Sequence, residues 1–366
     1  MATDLDQRPF DIGALDPRTA VIDVDVHEQF QSLNDLLPYL DDHWKRYIVD
    51  YGWRGVPKES PYGVPSTGGN TRLDWKPEGG VVRASTLELM RSQLFDGEGV
   101  SLAILNGMFH ISSMTGWYEF ATAVASAYND WQIEYWLEPE PRLRGSVHVV
   151  AHDPSAAARE IDRVGGHPQI VQVFLPTVTD REYGDPFYRP IFEAAVRNDL
   201  VVTLHHGNET KTTLGYPRYF VEWHNAIPHA NMCQLTSIIF NGVFDALPEL
   251  KLVILETGGS WLPHYMWRAD QQYRGLRLEV PWVKRMPSEH VRSSVRVATQ
   301  PFDEMSRKHF EMLIDQMGSD ELLMVSTDYP HFDADSPLRN LPGGLPDELL
   351  EKIRFRNALA TFPKLR

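Results

Sequence analysis

The sequence predicts an α/β protein, specifically a distorted (β/α)8 TIM barrel with loop insertions. Two observations lead there. Eight short runs rich in β-branched residues recur along the chain, and helical patterns separate them at a spacing that calls for parallel βαβ units. The length of 366 residues fits either two domains of about 150 residues or one barrel, and the unbroken alternation favours one barrel across residues 1–366. An open, doubly wound sheet would use the same units, so the count alone leaves closure undecided.

Residues 1–19 are polar and form an extension before the first strand, expected at Ala20–Val26. Residues 50–85 read as an insertion after that strand, because Pro57–Gly80 is dense in Gly, Pro, Ser and Thr and lacks periodicity. Further strands are expected at Ser101–Asn106, Gly145–Val150, Ile170–Leu175, Leu200–His205, Leu252–Glu256, Val291–Ala298 and Leu322–Thr327. Helical patterns fall at Gly116–Leu137, Pro154–Val164, Pro190–Asn198, Pro228–Leu247, Trp261–Leu276, Asp303–Met317 and Pro346–Phe362. Asp153-Pro154 is a strong helix start, with the Asp as N-cap and the Pro at the first helical position. The aromatic and polar stretch Asn208–His224 follows strand five, where barrel loops usually face substrate.

Composition narrows the partners. Hydrophobic residues at 42% and charged residues at 23% exclude a disordered or fibrous chain. A net charge of −15 argues against nucleic acid and anionic membranes, since a polyanion is repelled over most of the surface. The single cysteine, Cys233, excludes an intramolecular disulfide and a cysteine-based zinc site. With no signal-like run and no apolar stretch of about 18 residues, a cytoplasmic protein acting on a small molecule is expected.

Chemistry in a barrel sits where strands end. Strand one ends in Asp23-Val24-Asp25-Val26-His27-Glu28, and strict alternation places Asp23, Asp25 and His27 on one face. Asp25 and His27 then make a chelating pair for a divalent metal, with Asp23 deeper and structural. Strand five ends on His205-His206, and an apolar strand has no packing reason to finish on two imidazoles; one should face the mouth. Strand eight ends in Asp328-Tyr329-Pro330-His331, a carboxylate with an imidazole three residues on. Together these ends converge on one point. Asn106, Phe109 and His110 after strand two, Trp261 after strand six, and His331 are candidates for touching substrate.

These strand ends, with Asn129–Pro154 (NDWQIEYWLEPEPRLRGSVHVVAHDP), Asn241–Pro263 (NGVFDALPELKLVILETGGSWLP) and Met324–His331 (MVSTDYPH), resemble the amidohydrolase superfamily. The resemblance is to the amidohydrolase 2 branch, related to aminocarboxymuconate semialdehyde decarboxylase and the resorcylate-type decarboxylases, and runs from Val21 to the C-terminus. It implies a metal set of Asp25, His27, His205 and Asp328 around one divalent ion, with zinc expected and manganese or iron as alternatives. It also implies a homo-oligomer. Strand four carries no lysine of the kind that bridges two metals in binuclear relatives, which favours one ion. One departure stands out: where the decarboxylases carry a catalytic histidine after strand six, this chain has Thr257, preceded by Glu256, which is kept as a catalytic or anchoring candidate.

That departure tips the expectation toward a hydrolase. Metal-activated water would attack a carbonyl-type bond of an aromatic or apolar substrate, and Asp328 would carry the proton. Non-oxidative decarboxylation of an aromatic or unsaturated acid is the alternative, and a ligand-binding barrel without catalysis is the third reading.

Overall fold

Eight strands form, each close to its expected place: β1 (Ile22–Val26), β2 (Leu102–Leu105), β3 (Leu143–His148), β4 (Ile170–Pro176), β5 (Val201–His205), β6 (Leu252–Ile254), β7 (Val295–Ala298) and β8 (Leu323–Met324). They come from a computed structural model, which describes residues 10–53, 71–107, 116–206, 215 and 217–365. All neighbours are parallel, in the order β1 to β8. Closure is made just past the last ladder. The Val24 amide donates to the Val325 carbonyl at 3.3 Å, that of Asp328 to Asp25 at 3.0 Å, and that of His27 to Tyr329 at 2.8 Å. The sheet is therefore a nearly closed barrel, and its seam lies between the two strands that end on Asp25, His27 and Asp328.

Helices fill the crossovers. Pro154–Val164 begins as its sequence requires, with the Asp153 carboxylate accepting from the Ala156 amide at 2.9 Å. The pattern expected to run Pro228–Leu247 instead breaks into Ile227–Phe240 and Val243–Ala246, because Gly242 adopts φ +72° between them. The expected strand Val291–Ala298 starts only at Val295. Its first half is helix Pro287–Ser294, started by Pro287 and by Glu289, which accepts from the Met286 amide at 2.8 Å.

Two apolar clusters hold the fold. The larger one packs strand faces against the surrounding helices. The smaller joins Ile22, Leu102, Val201 and Val253 to Phe355, Ala358 and Phe362 of the C-terminal helical segment. Phe10, Ile12 and Leu15 pack on it, so this part of the polar extension is anchored. Each fully buried side chain of this kind is worth about 1.5–3 kcal/mol. The insertion at 50–85 returns onto the loop after β8, where Thr71 bridges His331 and the Arg72 amide donates to the Pro330 carbonyl at 3.1 Å. Among the described residues, no helix is long and apolar enough to cross a membrane.

Candidate metal centre

The strand ends bring Asp25, His27, His205 and Asp328 together, all buried, with one donor atom from each lying within 4.8 Å of the others. His27 Nε2 stands 3.3 Å from Asp25 Oδ1 and 3.0 Å from Asp328 Oδ1, and His205 Nε2 stands 3.7 Å from Asp25 Oδ2. The tautomers suit an ion. His27 Nδ1 meets the Gly107 carbonyl at 3.0 Å and His205 Nδ1 meets the His206 carbonyl at 2.7 Å. A carbonyl only accepts, so each Nδ1 carries a proton and Nε2 is the atom left to face an ion. Asp25 Oδ2 is buried and accepts no hydrogen bond among the described residues. Two imidazoles and two carboxylates around such an oxygen fit a divalent cation.

Supports from elsewhere fix these donors. Asn106 Nδ2 donates to Asp25 Oδ1 at 2.7 Å, while its Oδ1 accepts from Ser146 and Gln172. Asn106 was expected to touch substrate; it is fully buried with both amide ends engaged, and it holds Asp25. Glu28, also fully buried, accepts from the Gly107 amide at 2.8 Å and from the Tyr128 hydroxyl at 2.9 Å. It thereby steadies the carbonyl that orients His27. Gly107 has φ +60°, and a Cβ there would lie 2.3 Å from the Tyr128 hydroxyl, so no other residue fits. Replacing Asn106 by Ala should lower divalent-ion affinity about 10–100-fold, as removal of a ligand's outer partner does, measured by calorimetric titration. Wild-type affinity in that variant would remove Asn106 from the site.

Asp23, deeper in β1, accepts from the Thr327 amide and hydroxyl at 3.0 and 2.6 Å and is not one of the four donors. His331 Nδ1 donates to Asp328 Oδ1 at 2.7 Å, and its ring centroid lies 4.8 Å from that of His27. Trp261 is nearly buried, with Nε1 donating to the Gly258 carbonyl at 3.0 Å, so it braces the glycine turn. Phe109 and His110 lie outside the described residues.

At the end of β6 it is Glu256 that reaches the centre. Its Oε2 lies 3.1 Å from His205 Nε2 and against His206 Nε2, whereas the Thr257 hydroxyl turns to the Gly258 carbonyl at 3.2 Å. Glu256 and Asp328 both take left-handed backbone, at φ +52° and +58°, a strained conformation typical of functional positions. His224 and Asp333 complete the surroundings and were not singled out from the sequence. Only the position of His224 in the loop after strand five, and of Asp333 two residues past His331, hinted at them.

Burial shapes the charges. It pushes the Asp328 carboxyl up to about 7, helped by the Glu256 charge, and it pushes Asp333 and Asp335 to about 7 as well, helped by neighbouring carboxylates. Burial pulls His27 down, but the Asp25 and Asp328 carboxylates overcome it and hold the imidazole well above its usual value. Burial raises Glu256, yet His206 and His205 outweigh it and keep the carboxylate ionised. Burial lowers His205 and His331.

These directions set a pH dependence. A carboxyl raised in the folded state contributes stability that is complete below its ordinary range and is lost as pH climbs through about 7. Most of that loss falls between about pH 4 and 7; from pH 7 to 8.5, above the titration of unfolded histidines, the remainder is on the order of 1 kcal/mol for the three carboxyls and should lower the melting temperature of the metal-free protein by about 2 °C, which a divalent ion should reverse. A flat profile under chelation would contradict the arrangement.

Comparison with known proteins agrees with the geometry. The family model described as Amidohydrolase matches residues 22–364. The chain is 26% identical over 268 residues to gamma-resorcylate decarboxylase of Rhodococcus jostii, covering 68% of this chain and 78% of that one. It is 27% identical over 243 residues to 2-amino-3-carboxymuconate-6-semialdehyde decarboxylase of Dictyostelium discoideum, covering 60% and 64%. Among solved structures, 5-carboxyvanillate decarboxylase of Novosphingobium aromaticivorans, complexed with manganese and a nitrobenzoic acid, superposes with a TM-score of 0.70 at 19% identity, covering 95% of this chain and 97% of that one. These relatives overturn the hydrolase expectation: they are decarboxylases, and the missing strand-six histidine was a poor reason to set that chemistry aside. On a match that spans the barrel from β1 to the C-terminal helical segment, the chain belongs to the amidohydrolase family, in the branch of the aminocarboxymuconate-semialdehyde and aromatic-acid decarboxylases.

Proposed function

We propose that the chain catalyses non-oxidative decarboxylation of a small aromatic or unsaturated carboxylic acid, with a divalent ion on Asp25, His27, His205 and Asp328. The observation that carries this reading is the pairing of that buried four-donor cup with relatives that are decarboxylases. An ion there would bind the substrate's carboxylate and a neighbouring oxygen and draw electron density from the bond to be broken. Manganese is proposed ahead of zinc, because two carboxylates harden the set and the Novosphingobium structure contains manganese.

The chain's own groups do the rest. Asp328 is the proton donor: the bond from carbon to the carboxylate breaks, CO2 leaves, and that carbon takes a proton from Asp328, which water then restores. His331 aims the carboxyl by donating to Oδ1. Glu256 is ionised, so it anchors His205 and His206 and does not serve as the acid. Arg83, held by the Thr71 hydroxyl at 3.0 Å and close enough to act electrostatically on Asp328 and His331, is proposed to attract the substrate's carboxylate.

Manganese-loaded protein incubated with carboxyl-labelled ortho-hydroxybenzoic acids should release labelled CO2, and in D2O should place one deuterium on the product carbon. Release that survives full chelation, or faster cleavage of an ester and amide panel with 18O taken from water, would overturn the proposal.

A further inference from the structure

We propose that the chain holds a second divalent cation beside the first, on His224, Glu256 and Asp333. The three side chains come from separate parts of the fold: helix Phe220–Asn225, the turn after β6, and the loop after His331. His224 Nε2 lies 3.5 Å from Glu256 Oε1 and 3.4 Å from Asp333 Oδ2, and one donor atom from each residue lies within 4.8 Å of the others.

Those spacings separate a shared ion from a shared proton. Donors about 2.1 Å from a common ion sit about 3.0 Å apart along an octahedral edge and about 3.4 Å along a tetrahedral one. A charge-assisted N–H···O bond is shorter, about 2.7–2.9 Å. His224 therefore stands too far from either carboxylate for a strong hydrogen bond, and at the distance of a common ligand shell. The four-donor set shows similar spacing, at 3.3 and 3.0 Å around His27.

Charge points the same way. One divalent ion offsets Asp25 and Asp328, but Glu256 and Asp333 bring two further carboxylates into the same cluster. Gln300 ties the two groups, donating from Nε2 to Asp328 Oδ2 and to Asp333 Oδ2 at 3.3 Å each, and brings no charge. Gln300 is fully buried, and its Oε1 accepts no hydrogen bond among the described residues, which leaves a neutral oxygen donor at this place. The left-handed backbone of Glu256 aims one oxygen at His205 and the other at His224. The His224 and Asp333 side chains are 20% and 19% exposed, against 0–2% for the first four donors, so this ion would exchange more readily. An imidazole with two carboxylates suits manganese or zinc.

Chelator-stripped protein titrated with MnCl2 in a calorimeter, with bound manganese counted by mass spectrometry, should take up two ions per chain, the second at least about tenfold more weakly. His224→Ala and Asp333→Asn should each take up one. Paramagnetic resonance of the saturated wild type should show an exchange-coupled manganese pair that both variants lose. A melting curve with one ion bound checks that the variants fold, and if they do not, the wild-type count and spectrum decide alone. Uptake of one ion by the wild type in millimolar MnCl2, or of two by both folded variants, overturns the second site and leaves the first. Uptake of none overturns both.

Discussion

Asp328→Asn is expected to lower metal-dependent CO2 release by about 10³-fold or more while leaving the fold in place. The backbone tolerates the change, because asparagine accepts the left-handed conformation that Asp328 holds at φ +58°. His331 keeps an oxygen to donate to. At the other oxygen the new amide would meet the Gln300 amide, donor against donor, where the carboxylate now accepts at 3.3 Å. What disappears is the acid: an amide has no proton to give near neutrality, whereas burial holds the Asp328 carboxyl at about 7. The measurement is CO2 release per bound ion, so that lost metal is not mistaken for lost proton transfer. Turnover within tenfold of wild type in a variant that keeps its ion would remove Asp328 from the proton-transfer role.

His27→Ala should act on the ion itself. The imidazole sits between Asp25 and Asp328 and is buried with both. Removing it deletes one of four donors and also leaves two buried carboxylates facing each other. Ion affinity should fall by at least about 10³-fold, beyond the 10–100-fold expected for an outer partner such as Asn106. Metal-free protein should lose about 3–5 kcal/mol, the usual cost of breaking a buried charge pair from one side. Ion content after dialysis and a chemical denaturation curve check the two effects separately. A variant that retains one equivalent at wild-type affinity would place the ion elsewhere.

The donors were legible in the sequence because each lies at the end of a short apolar strand, where a polar side chain has no packing reason to be. The barrel was legible from the same runs. What escaped depended on contacts between distant segments. Asp23 has its partner in Thr327, 304 residues away, which no local pattern links to it. Asn106 looks like any polar residue at a strand end, and its role follows from Asp25, Ser146 and Gln172 arriving around it. Glu28 adjoins His27, but its role follows from Gly107 and Tyr128 arriving around it, while His224 and Asp333 have no spacing that ties them to the donors and are carried in by a helix and a loop. Val291 has a β-branched neighbourhood, but the start signal at Pro287 captured it for a helix. Choosing hydrolysis over decarboxylation failed for a different reason. The same four donors serve both reactions, so the strand ends alone hold no information about which bond breaks.

The seam between β1 and β8 also bears on how the protein is made. Asp23 and Thr327, which bond across it, are 304 residues apart in the chain, and Asp25 and Asp328 meet beside them. A ribosome must add those 304 residues before the second carboxylate of the proposed metal set emerges. Earlier strands can collapse, yet no nascent fragment lacking the last strand offers the four-point site. Capture of an ion by these four residues would thus wait for the last strand to be made and to close the seam.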